Sequence, residues 1–117
     1  MGKLSTHVLD ITQGKPGAGV KVALYALGAQ GRTLVKTDVT NADGRCSAPL
    51  LEGETMKAGK YELVFGAGDY FASQGVELPE PRFIDEVTIA FGVAGAEQNY
   101  HVPLVVSPWA YSTYRGS

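Results

Sequence analysis

The sequence predicts an all-β fold, a sandwich of two four-stranded sheets with one short helix, and three observations lead there. Gly and Pro recur at short intervals, 15 and 6 of them in 117 residues. The segments between them are rich in Val, Leu, Tyr and Thr, and most alternate apolar and polar residues with period two. One domain spanning 1–117 accommodates the whole chain, since a chain of this length buries roughly two-thirds of its unfolded surface in one core.

The elements follow in order. Strands are expected at 4–12 (LSTHVLDIT), 20–27 (VKVALYAL) and 32–40 (RTLVKTDVT), with a short one at 45–48. Four more are expected at 60–66 (KYELVFG), 82–91 (RFIDEVTIAF), 98–106 (QNYHVPLVV) and 110–115 (AYSTYR). The connections carry turn chemistry: QGKPGAG supplies Pro16 with its fixed φ and three glycines, and NADG at 41–44 reads as an Asx and Gly turn. The stretch 66–75 differs, because Asp69 can cap a helical turn or two carrying Tyr70, Phe71 and Ala72 before Gly75 ends it.

Alternation also names the buried faces. Val20, Val22, Leu24 and Ala26 share one side of a strand, as do Tyr61, Leu63 and Phe65, and Val87, Ile89 and Phe91. Two other faces are mixed. His7 lies with Ser5, Leu9 and Ile11, and His101 with Asn99, Pro103 and Val105. Such faces are too apolar for a solvated surface and too polar for a dry core, which a second subunit packed on them would explain.

Composition excludes several function classes. A formal charge of −2 with interspersed acids and bases offers no basic stripe for phosphate backbones, so nucleic acid is not an expected partner. No stretch approaches the ~20 apolar residues of a membrane span, and MGKLSTHVLD lacks the apolar run of a signal peptide. The chain therefore reads as soluble and cytoplasmic. Its one cysteine, Cys46, cannot form an intramolecular disulfide and reads first as a small buried apolar side chain.

Few residues are left that could do chemistry. A strand histidine is more often structural than catalytic, yet His7 and His101 are the only two in the chain. Their spacing matches no zinc motif, and no metal site is expected. No G-x-S-x-G elbow or family cysteine signature appears, which leaves Cys46 and Ser117 as untested nucleophiles. Arg45 after a turn glycine would ordinarily be a solvated edge residue. Two neutral-range bases, a guanidinium near a turn and the hydroxyl-rich ending YSTYRGS together make a kit for hydrolysing a flat polar ring.

Three boxes carry a specific resemblance. LSTHVLDITQGKPGAGVKVALY, the N-x-D-G-R-C run at 41–46 and YHVPLVVSPWAYSTYRGS resemble the 5-hydroxyisourate hydrolase family, the transthyretin-related enzymes of urate breakdown. The resemblance covers essentially the whole chain. It implies a transthyretin-like sandwich assembled as a homotetramer, with sites at the dimer–dimer interface. It implies a cofactor-free opening of the six-membered ring of 5-hydroxyisourate. Position by position it implies catalytic roles for His7, Arg45, His101 and Ser117, and places Tyr114, Arg115 and Gly116 at the substrate. The run PRFIDEVTIAFGV departs from the family's P-F-F-P-E-V pattern, keeping Phe83 and Glu86-Val87, and bears on packing more than on the polar set. The competing readings are a carrier of a small aromatic ligand on the same sandwich and an adhesion-type β module that works through its surface.

Overall fold

A computed structural model of the chain describes residues 2–116. Two sheets pack face to face. The first has the order β2 (Lys15–Pro16), β1 (Lys3–Asp10), β8 (Tyr100–Val106), β9 (Tyr111–Thr113), with β5 (Leu51–Glu52) also paired to β1. The second has the order β4 (Gly31–Val39), β3 (Lys21–Gly28), β6 (Gly59–Phe65), β7 (Val87–Val93). A short helix, α1 (Ala67–Ser73), follows β6, and a 3-10 turn covers Gly53–Thr55.

The alternation predicted from sequence is what fills the core. Register aligns Val22 with Phe65 and Phe65 with Val87, then Leu24 with Leu63 and Leu63 with Ile89. The next layer aligns Ala26, Tyr61 and Phe91, with the Tyr61 and Phe91 rings stacked at 5.8 Å. From the first sheet, Leu4, Val8, Tyr100, Val102, Leu104 and Val106 face these rows, all buried. Burying a side chain of this kind contributes about 1.5–3 kcal/mol, so the two facing rows hold the layers together.

Polar groups inside the sandwich are paired. Asp10 at the end of β1 is buried, and its carboxylate accepts from the backbone N–H of Thr12 (2.9 Å) and Gln13 (3.1 Å), from Gln13 Nε2 (2.8 Å) and from the Tyr70 hydroxyl (2.7 Å). That carboxylate ties the site-bearing strand to α1. Burial, with the Asp10 contact, pushes the Tyr70 phenol well above its ordinary range.

Four expectations are corrected. No strand forms at 45–48: Arg45 makes only an isolated bridge to His7, and pairing resumes at Leu51–Glu52 after Pro49, which has no N–H to give a ladder. The strand expected from residue 82 starts at Val87. The preceding segment packs on the helix instead, through Gly68 N–H to the Asp85 carbonyl (2.7 Å) and Arg82 to Asp69 (2.6 Å). Asp69 does not cap the helix; the N-cap is Gly66, and Asp69 sits in the first turn with its charge held by Arg82. Lys15–Pro16, read as turn, is a two-residue edge strand on β1, a place that tolerates proline.

Candidate active site

β1 and β8 run parallel at the centre of their sheet, with Ser5 opposite His101, His7 opposite Pro103 and Leu9 opposite Val105. Side chains of one parity point away from the core, so Ser5, His7, His101, Pro103 and Val105 share the outer face. On the other side of β1, His7 is bridged to Arg45. On the other side of β8, His101 is bridged to Gly116, with Gly116 N–H donating to the His101 carbonyl at 2.7 Å. Arg45, His7 and Pro103 thus lie in one row across the sheet and Ser5, His101 and Gly116 in the next, two residues away along the strands, so the two histidines sit diagonally on the same face.

Each position has a local cause. The Asx turn at 41–44 is held by the Asn41 side chain, whose Oδ1 accepts from the N–H of Asp43 (2.9 Å) and Arg45 (3.2 Å). Gly44 in that turn has φ +75°, and a Cβ there would sit 2.4 Å from the Val8 carbonyl oxygen, so only glycine lets the turn lie against β1 and set Arg45 beside His7. Gly116 is constrained in the same way. A Cβ on it would meet Cδ2, Cβ and Cγ of His101 at 3.0, 3.1 and 3.3 Å.

The two imidazoles face each other with ring centroids 6.5 Å apart and are both half-buried. Burial pulls the His7 pKa below 6.5, the nearby Arg45 charge pulls it further, and Asp43, through its backbone and its charge, opposes them. His101 is lowered by burial, by Arg45 and by His7. Both rings are therefore neutral at physiological pH, each with one nitrogen lone pair and one N–H. His101 Nδ1 lies 2.9 Å from the Ser5 hydroxyl.

The remaining predicted residues divide. Tyr114 is exposed, and the offset that pairs Leu104 with Thr113 and His101 with Gly116 sets it opposite Pro103, on the outer face. Arg115 has the opposite parity and joins neither row. Its guanidinium lies 4.1 Å from the Tyr100 ring centroid and donates at 3.0 Å to Gln98 Oε1 and to the Asn99 carbonyl. These acceptors fasten the segment around Arg115 to residues 98–99, just ahead of β8. Ser117 lies outside the described residues. Cys46 is removed as a nucleophile: burial, with Asp38 beside it, pushes its thiol up to about 11, so it stays protonated near neutrality. Ser5 is the residue that sequence reasoning placed on the right face without giving it a role; the i, i+2 spacing to His7 was the available signal.

The two rows lie on an open face. Shallow hollows flank them, about 190 Å³ beside Ser5 and Arg45 and about 420 Å³ beside Asn99 and Gly116. A larger concavity of about 640 Å³ lies against β3 and β4 in the other sheet, lined in part by Lys21, Tyr25 and Asp85, and contains neither histidine nor Arg45. The chemistry-bearing residues, not the larger hollow, mark the candidate site.

Comparison with known proteins gives one family and consistent neighbours. The family model described as HIUase/Transthyretin family matches residues 4–116. A 5-hydroxyisourate hydrolase of Mesorhizobium japonicum is 60% identical over 116 residues, 99% of this chain and 93% of that protein. The solved 5-hydroxyisourate hydrolase of Klebsiella pneumoniae superposes with a TM-score of 0.82 at 36% identity over the full length of both chains. A solved (S)-allantoin synthase superposes with a TM-score of 0.95 at 42% identity; 99% of this chain is covered, and it spans 44% of that longer one.

Proposed function

The chain belongs to the HIUase/Transthyretin family, and from that membership we propose that it hydrolyses 5-hydroxyisourate to 2-oxo-4-hydroxy-4-carboxy-5-ureidoimidazoline, a step of urate breakdown. The observation that carries the reading is the cluster itself: Arg45 beside His7 and Gly116 beside His101, in two adjacent rows of one sheet face, brought from distant parts of the chain. A carrier needs an apolar slot and has no use for two neutral imidazoles beside a guanidinium. The hydrolase name of a relative 60% identical favours catalysis in the same direction.

The chemistry is acyl transfer from ring nitrogen to water. One O–H proton of water passes to an imidazole lone pair as the oxygen bonds to the ring carbonyl carbon. The carbonyl oxygen gains the negative charge, and N–H donors aimed at it hold that charge. The carbon–nitrogen bond then breaks, the imidazolium returns its proton to the departing nitrogen, and the new carboxylic acid ionises into solvent. A histidine poised to carry this proton contributes on the order of 100-fold to 10,000-fold. Arg45 presents a planar fork to the carbonyl and ring-nitrogen edges of an anionic substrate, which lysine cannot imitate. Gly116 gives the ring room, Tyr114 flanks it, and Arg115 positions the segment. Ser117 completes the set that the family resemblance implies.

An open face cannot surround a ring. Two such faces meeting across a two-fold axis enclose one, which supports a homotetramer with sites where dimers meet. Light scattering then gives four times the 12.4 kDa of one chain. The decisive assay generates 5-hydroxyisourate from urate with urate oxidase and follows its absorbance decay with and without the protein. Acceleration is expected, with His101→Asn and Arg45→Lys returning the decay toward the spontaneous rate. A folded protein that leaves the spontaneous rate unchanged refutes the reading.

A further inference from the structure

Two neutral imidazoles in one site raise the question of which carries the proton, and the groups behind each ring answer it. Asp43 favours a proton on the His7 ring through its backbone and its charge. His101 is backed differently. Its Nδ1 meets the Ser5 hydroxyl at 2.9 Å across the parallel register, while Gly116 closes against the Cδ2 and Cγ side of the ring. The ring is gripped, and Nε2 is the one nitrogen left to face a substrate.

We infer that Ser5 is a positioning residue: its hydroxyl donates to Nδ1 of His101, holds the ring as the Nε2–H tautomer, and makes His101 a neutral hydrogen-bond donor to the reacting carbonyl while His7 carries the proton. The inference rests on the hydrolase reading above. The proton balance requires no second carrier, because the proton taken from water by His7 is the one returned to the departing nitrogen. A neutral imidazole cannot give up its last N–H without becoming an imidazolate, so Nε2–H of His101 stays in place and stabilises the oxyanion beside Arg45. The burial and positive charge that keep His101 unprotonated fit this role.

Because the chain has two histidines, 15N–1H correlation spectra of labelled protein resolve both rings without ambiguity. The expected wild-type pattern is a protonated Nε2 and an unprotonated Nδ1 on His101. Ser5→Ala is expected to mix the His101 tautomers and lower kcat roughly tenfold with KM within about twofold, less than the 100-fold to 1,000-fold loss of deleting an oxyanion donor outright. Ser5→Thr, which keeps the hydroxyl, restores both. A protonated Nδ1 in the wild-type protein, or wild-type kcat in Ser5→Ala, overturns the inference. The wild-type spectrum decides even if the variant fails to fold. Failure of the hydrolase reading looks different, since the wild-type protein would then leave the substrate at its spontaneous decay.

Discussion

Replacing Gly116 by alanine puts a methyl carbon 3.0–3.3 Å from three atoms of His101, closer than carbon atoms normally approach. One side must yield by a few tenths of an ångström. If the ring yields, the 2.9 Å contact between Ser5 Oγ and Nδ1 stretches toward the limit of a hydrogen bond and the free nitrogen swings off its line. If residue 116 yields, it gives up backbone bonds of 2.7 and 3.4 Å to His101, worth about 1 kcal/mol each, and His101 loses the neighbour on that side. Either way about 1–2 kcal/mol of positioning is lost, which corresponds to roughly 5-fold to 30-fold in rate. The assay is steady-state hydrolysis of freshly generated 5-hydroxyisourate beside a thermal melt. A fall in kcat is expected whichever side yields, with Tm falling only if residue 116 gives up its backbone bonds. Wild-type kcat in a Gly116→Ala protein would refute the claim that close approach of this glycine orients His101.

Three further outcomes are expected. Neutral imidazoles do the work and both histidines are held below 6.5, so the rate is flat through neutrality and falls only on the acid side below 6.5; Arg45→Gln removes a depressing charge and should move that limb to higher pH in the residual activity. The same depression has a stability sign: the unfolded histidines take up protons first, so this contribution is full above 6.5 and is lost as pH falls through the folded pKa values, measurable as a declining Tm. Tyr70→Phe removes one of the four donors on buried Asp10 and should cost roughly 1.5–3 kcal/mol in denaturant melts while leaving kcat intact, unlike substitution of His7, Arg45 or His101. Iodoacetamide at pH 7.5 should leave activity unchanged, since the Cys46 thiol is held near 11; rapid inactivation would return Cys46 to the mechanism.

The core rows follow from period-two alternation, because a strand's faces are set by local backbone geometry alone. Pro49 and the 79–86 segment show the limit of that logic. The first interrupts a ladder whose partner strand was not identifiable from the chain, and the second satisfies its backbone on α1 instead of on a neighbour. Arg115 is a similar case, where parity together with the aromatic face of Tyr100 decides against the outer face.

The sequence by itself determined the sandwich, the scarcity of ionisable groups that could act at neutral pH, and, through three short boxes, the family. It could also place His7 and His101 on mixed faces. Only the tertiary structure decided that the two faces are one. β1 and β8 are parallel neighbours despite lying at opposite ends of the chain, and strand pairing over such a separation leaves no local trace in residue order. The same pairing sets Ser5 against His101, Gly44 against Val8 and Gly116 against an imidazole. The site therefore depends on register between strands, a property that emerges only when the sheet closes.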